Sequence, residues 1–284
     1  MSNKILFLHL SDIHIKNEED EILSRTLAIT STTFQRLPEI HTIIIILSGD
    51  IAWSGIRSEY ILAEKFIASL IESISLENTK VKVEVFLCPG NHDCDFSLND
   101  ETRDAVLGRI RSLDGVQPSI SLIKTATSVQ DEFFKFRENI SKYIWTTDDR
   151  LSWQTSINVA GYTVGIRCLN IAWMSELKEK QGSLVYPATA VVPFSFDKSR
   201  GLHVSLLHHP FNWLSQATYR SFQSTVRSES HLIFTGHEHF QNVGEVTDLR
   251  SSPSIFIEGG VLFEDNYPQH STFNFQYCDC GFGE

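Results

Sequence analysis

The stretch CPGNHDCD, residues 88–95, follows directly on the apolar run VEVFL, residues 83–87, and the junction between them sets the reading of the fold. The run is short, apolar and rich in β-branched and aromatic residues, the description of a buried strand. Pro89 and Gly90 end it. Gly90-Asn91-His92-Asp93 therefore sits in a loop at the carboxyl end of a strand, where open α/β sheets carry their chemistry. Asn91 and His92 can each coordinate a metal or donate a hydrogen bond, and Asp93 can orient either of them.

Upstream, KILFLHLSD (4–12) reads as a strand running into a polar turn. Asp20 to Leu37 has apolar residues at helical spacing and is stopped by Pro38. TIIIILSGD (42–50) is a second buried strand, and SEYILAEKFIASLIESIS (58–75) an amphipathic helix opened by Ser58. Apolar strands alternating with helices imply a sheet covered on both faces, hence the α/β class.

From about residue 95 to 150 the alternation breaks. Helical segments near 99–112 and 127–145 are joined by a turn at Gly115–Pro118, and the whole reads as an insertion after the third strand. A cap over the site, a partner-binding surface and a surface helical hairpin are all open to it. Strands resume at 151–173, with Gly161 at a hairpin turn, then at 202–210, 231–240, 254–263 and 271–279. No internal repeat or low-complexity tract interrupts the chain, and residues 1–284 are expected to form a single domain.

The 284 residues, 42% hydrophobic, can fill a sizeable core. The longest apolar run, TIIIIL, is too short to span a membrane, and the N-terminus lacks a signal-peptide cleavage pattern. Cys88, Cys94, Cys168, Cys278 and Cys280 are an odd, scattered set in a chain that needs no staples, so reduced thiols and a cytoplasmic location are expected. With 35 acidic against 24 basic residues the net charge is −11, which disfavours non-specific binding of a polyanion. Acidic ligands offset by two divalent ions can reverse that field locally.

Five strand ends carry one kind of chemistry: Asp12-x-His14, Gly49-Asp50, Gly90-Asn91-His92-Asp93, His208-His209-Pro210 and Gly236-His237-Glu238-His239. The strand pattern puts these loops on one edge of the sheet. On an extended backbone, a spacing of two turns both side chains to one side, so Asp12/His14 and His237/His239 can each face one ion. Carboxylate, imidazole and amide suit Mn, Fe or Zn better than thiolate-seeking ions. Seven ligands exceed the needs of one ion and match two that share a carboxylate. Two such metals, about 3.5–4 Å apart, clamp an in-line displacement at phosphorus, with a bridging hydroxide as nucleophile.

In their order, the five blocks resemble the calcineurin-like metallophosphoesterases over roughly residues 4–280. The resemblance implies two mixed β-sheets in a sandwich flanked by helices, and two divalent or trivalent metals, Mn first, with Fe, Zn, Co or Ni as alternatives. It assigns Asp12, His14 and His239 to the first metal, Asn91, His208 and His237 to the second, and Asp50 to the bridge. His92 would contact the scissile phosphate and protonate the leaving oxygen, alongside Asp50 as the catalytic pair. Asn91, His92 and His209 are the expected substrate-side residues, His209 beside the metal rather than on it. Where the family's protein phosphatases carry a second Asp three residues after the Gly-Asp acid, and an Arg beyond, this chain has Trp53, Ser54 and Gly55. A phosphoprotein substrate is therefore discounted.

The expected function is a phosphodiesterase acting on nucleotides or nucleic acid. The alternatives are a phosphomonoesterase, a nuclease domain of a longer protein, and a metal-binding scaffold without activity. Further domains, or a protein partner held through 95–150, are compatible with each, and no membrane is. Trp53, Trp173 and Trp213 follow strand-end blocks and are candidates to line the pocket or stack on a base. Arg57 could reach a phosphate oxygen or lie on the surface. His9, His41, His203, His231 and His270 read as structural, Cys88 and Cys94 as packing residues, and Glu238 as pointing away from the ions.

Overall fold

The computed structural model describes residues 4–18, 25–36, 40–145, 147–159, 161–246, 253–262 and 272–279. The strands are β1 (Lys4–Leu10), β2 (Thr42–Leu47), β3 (Lys82–Leu87), β4 (Thr147–Asp148), β5 (Ser152–Val159), β6 (Tyr162–Leu169), β7 (Gly201–Leu207), β8 (Leu232–Thr235), β9 (Asn242–Val246), β10 (Ser254–Glu258) and β11 (Asn274–Asp279). The helices are α1 (Thr26–Arg36), α2 (Arg57–Glu77), α3 (Glu101–Arg111), α4 (Ile120–Ala126), α5 (Asp131–Ile140) and α6 (Gln216–Glu229).

Two mixed sheets form an α/β sandwich. The first has the order β11-β1-β2-β3, the second β4-β5-β6-β7-β8-β10-β9. β1, β2 and β3 run parallel, as do β6, β7, β8 and β10, while β11, β5, β4 and β9 pair antiparallel at the flanks. Every residue of β2 is buried, which is why TIIIIL reads as continuous rather than alternating. Phe7 of β1 meets Phe234 of β8 at 5.7 Å across the sandwich. The second sheet shows strand periodicity instead. Val204 and Leu206 enter the inter-sheet core, whereas Leu207, with Leu169 and Ile233, joins a second core that holds Phe222 and Val226 of α6.

Several details depart from the sequence reading. The insertion holds three helices, not two, because α4 forms beyond the Gly115–Pro118 turn. α3 and α4 bury Leu107, Ile110 and Ile123 in the second core, and α5 buries Phe133, Phe134 and Phe136 in the first. Helix α6, whose residues are mostly polar, and the edge strand β9 were not expected. Gly161 does close the β5–β6 hairpin, at φ +88° with Val159 opposite Tyr162. Cys280 and His270, and the start and stop of the helix read over 20–37, lie outside the described residues.

Candidate metal centre

The five motif loops meet at one rim, but two sheets supply them: β1, β2 and β3 from one, β7 and β8 from the other. The expectation of a single sheet edge is corrected accordingly. Hydrogen bonding continues past the strand ends and docks the loops. Asp12 N donates to Gly49 O (3.2 Å), Ile13 N and His14 N to Asp50 O (2.8 and 2.9 Å), and Gly236 N to His208 O (2.9 Å).

The backbone is not extended there. Asp12, His14, Asp50, His237 and His239 all take positive φ, between 52° and 76°, in the left-handed region. That conformation is costly for residues with a Cβ, and it collects where the surroundings over-determine it. It turns Asp12 and His14 to one place by a route other than strand alternation, and it sends His237 and His239 to different places. The expectation that His237 and His239 face one ion fails for this reason.

Two groups of donor atoms result. In one, His239 Nε2 lies 3.3 Å from Asp12 Oδ1 and 3.5 Å from His14 Nε2. In the other, His237 Nδ1 lies 2.9 Å from Asn91 Oδ1 and 3.2 Å from His208 Nε2, and His208 Nε2 lies 3.2 Å from Asp50 Oδ2. Asp12, Asp50 and His208 also offer ligand atoms within 4.8 Å of one another, so the two groups adjoin at Asp50. The glycines allow this density. A Cβ on Gly90 would sit 2.1 Å from Asp50 Oδ1, and one on Gly49 2.5 Å from His208 Nδ1.

The protonation states favour ligation at most positions. Burial holds the His14 imidazole neutral, down to about 4, and lowers His237 further. Against their own burial, Asp50 and Asp12 are kept ionised, Asp50 chiefly by His208 and Asp12 chiefly by its bond with His239. His208 and His239 go the other way: burial opposes the charge on His208, but Asp50 and Asp12 raise it to about 9, and the bond with Asp12 raises His239. His208 Nδ1–H donates to Ser48 O (2.8 Å), which leaves Nε2 facing the cluster. Two groups of converging carboxylate, imidazole and amide donors, with ionised acids, fit a pair of borderline divalent ions.

Buried side chains set these donors in place. Asp93 is fully buried and accepts from Gly90 N (2.9 Å), Ala52 N (3.0 Å), Ile51 N (3.2 Å) and the Tyr60 hydroxyl (3.0 Å), tying the Asp50 loop to the Asn91–His92 loop. Burial, then the nearby Asp50, raise the Asp93 carboxyl to about 6. A second chain runs from His9 Nε2 to Ser48 Oγ (2.7 Å), from Ser48 Oγ to Ser11 Oγ (2.9 Å), and from Ser11 Oγ to Asp12 Oδ2 (2.5 Å). Because Ser48 donates onward, the His9 proton is on Nε2. Tyr60, Ser11 and Ser48 were not singled out in the sequence, although both serines directly precede or adjoin motif residues.

The remaining candidates divide. His92 donates Nδ1–H to Trp53 O (2.7 Å), its ring 4.7 Å from His14, and it lines the adjacent cleft. His209 is fully buried, with Nε2 on Glu179 Oε2 (2.8 Å) and its ring 4.2 Å from His237, so it has no surface to offer a substrate. Its expected substrate-side role gives way to one behind His237. Glu179 had no sequence signal, since it stands in irregular chain far from any motif. Trp53 and Trp213 flank the cleft, but Trp173 is buried in the second core and donates to Val185 O (2.8 Å). Arg57 is exposed, pairs with Glu132 (3.6 Å) and does not line the cleft. Glu238 accepts from Trp213 Nε1 (2.6 Å). His203 packs between Phe194 and Phe196.

Two mixed sheets with a rim of carboxylates, imidazoles and one amide at their parallel strand ends define the class of metal-dependent hydrolases. The chain belongs to the family described as calcineurin-like phosphoesterase, whose model matches residues 5–241. It is thus a hydrolase of phosphoric esters, from a family that depends on two metal ions. A comparison with curated proteins returns no match.

Proposed function

We propose that the chain is a phosphodiesterase acting on small phosphodiesters, nucleotide diesters among them, with Asp12, His14 and His239 on one metal, Asn91, His208 and His237 on the other, and Asp50 between them. The observation that carries this is the cleft of about 630 Å³ that opens beside His92, Asn91 and His237, with room for a second substituent on phosphorus. It is walled by Trp53, Ile56, Phe96, Leu177 and Trp213, and among the described residues no Lys or Arg lines it. A nucleic-acid strand needs cationic side chains along its phosphates, so short substrates fit better.

When bound, the metal pair supplies charge stabilisation at phosphorus and an activated water. Net hydrolysis forms one P–O bond to a water oxygen, breaks the P–O bond to the leaving group and puts a proton on the departing oxygen. His92 can deliver the proton as its imidazolium, in which Trp53 O takes Nδ1–H and the second proton is on Nε2 beside the cleft. Asn91 and the His92 loop hold the phosphate, with His92 N anchored on Asp50 Oδ1 (2.8 Å).

The test compares bis-p-nitrophenyl phosphate with p-nitrophenyl phosphate under added Mn, for wild type, Asp50→Asn and His92→Ala. Wild type should prefer the diester. Asp50→Asn should lose bound metal, and His92→Ala should keep metal while kcat falls about 10²–10⁴-fold. Equal metal loss in the two variants refutes this division of roles, and no cleavage with Mn, Fe, Co, Ni or Zn refutes the catalytic reading.

A further inference from the structure

The cleft beside the metal centre has a chemical bias that the family does not specify. Three carboxylates belong to its wall, Asp95, Glu176 and Glu179, between the apolar side chains of Phe96, Ile56 and Leu177. Glu176 is offset by Arg111 on its outer side. Asp95 turns one oxygen to Ser97.

Glu179 differs from the other two, because its side chain is only 8% exposed. Oε2 holds His209, and Oε1 is buried beside the Ser175 hydroxyl, so the carboxylate lies just under the wall rather than on it. His209 holds the carboxyl below its usual range in spite of burial. An ionised group under an apolar wall acts across a low dielectric, so its attraction for a cation in the cleft is stronger than at a wet surface.

The aromatic rims add to this. Trp53 already carries an ammonium, with Lys16 Nζ 3.8 Å from the ring centroid. Trp213 lines the same cleft, its ring centroid 4.1 Å from that of His237 in a T-shaped contact. Acidic and aromatic walls together recognise alkylammonium groups. Lys178 lines the adjoining hollow, which shares Phe96, Glu176 and Leu177 with the cleft.

We infer that this cleft seats an alkylammonium group carried on the substrate's second ester substituent, so that the preferred substrates are phosphodiesters of amino alcohols. This rests on the phosphodiesterase reading above, with Glu179 and Glu176 setting specificity rather than taking part in the bond change.

The experiment uses the Mn-loaded protein and three esters that all release p-nitrophenol: p-nitrophenyl phosphorylcholine, its neutral isostere p-nitrophenyl 3,3-dimethylbutyl phosphate, and thymidine 5′-(p-nitrophenyl phosphate). The choline ester should exceed the isostere in kcat/KM by about tenfold, the scale of one desolvated cation contact. That ratio should collapse towards one in Glu179→Gln and shrink in Glu176→Gln, whatever happens to the rate common to both esters. Tryptophan fluorescence titrations with phosphocholine and 3,3-dimethylbutyl phosphate should show the same preference without turnover. A ratio near one in wild type, a preference for the thymidine ester, or a ratio that survives both substitutions overturns the proposal. Selective phosphocholine binding that depends on Glu179, without cleavage of any ester, leaves the cation site standing and sinks the phosphodiesterase reading instead.

Discussion

Asp12 shows how much of a candidate ligand's behaviour is set by residues outside the donor groups. Its Oδ2 takes the Ser11 hydroxyl, Ser11 takes that of Ser48, and Ser48 takes the buried His9 ring. The carboxylate is thereby held to one orientation before any ion arrives. Partners of this kind are worth about 10–100-fold in metal affinity when removed. Ser11→Ala should therefore weaken Mn binding by a factor in that range with little change in fold, as measured by calorimetric titration beside a circular dichroism spectrum. Unchanged affinity would show that Asp12 is positioned by the backbone alone. At this scale the sequence disclosed ligand types and missed conformations. Asp12, His14, Asp50, Asn91, His208, His237 and His239 stand out by chemistry at strand ends. Their left-handed backbone, and the parting of His237 from His239, follow from loop docking that pattern reading cannot see. His209 and Glu179 show the same limit, since their pairing joins segments 30 residues apart.

The elements around the rim are coupled through buried rings, with Tyr60 of α2 against Phe133 and Phe136 of α5. Phe136 of α5 stacks on Tyr60 of α2 at 5.0 Å, and Tyr60 bonds Asp93, the residue that ties two motif loops together. The segment after β3 thus acts as a buttress, with its helices sharing both hydrophobic cores. Among the described residues of 95–150, only Asp95, Phe96 and Ser97 line the cleft. Phe136→Ala should lower stability by about 3–5 kcal/mol in urea denaturation. If the helices were instead a detachable lid, the same change would move KM and leave the urea midpoint alone. The helices α2 and α5 were readable because their apolar residues recur at helical spacing. α6 was not singled out because QATYRSFQSTVRSE is mostly polar, although Thr218, Phe222 and Val226 recur at helical spacing and are buried.

Across the whole molecule, burial sets the response to acid. Desolvation pushes the His9 imidazole down to about 3, so it is neutral in the folded protein over the ordinary range. The unfolded chain protonates it at about 6.5. Below that value the unfolded state binds the extra proton, so stability is full above pH 6.5 and declines as pH falls towards 3. The slope for this one group is roughly 1.4 kcal/mol per pH unit. His9→Gln, which keeps a donor for Ser48, should flatten the loss of unfolding free energy between pH 6.5 and 4.5. An equal slope in both proteins would assign acid sensitivity to other groups. Among the described residues no helix is long and apolar enough to cross a membrane.

From its sequence alone, the chain declared alternating apolar strands and helices, and it placed side chains able to bind metal at five strand ends. Both are local properties: burial on two faces writes itself as continuous apolar runs, and turns after strands tolerate Gly, Asp, Asn and His. Only the tertiary structure decided that two sheets share one rim, which donors converge, which tryptophans face the cleft, and that a buried glutamate charges its wall. Those facts depend on contacts between residues tens to hundreds of positions apart, made by loops whose strain the surrounding packing holds in place.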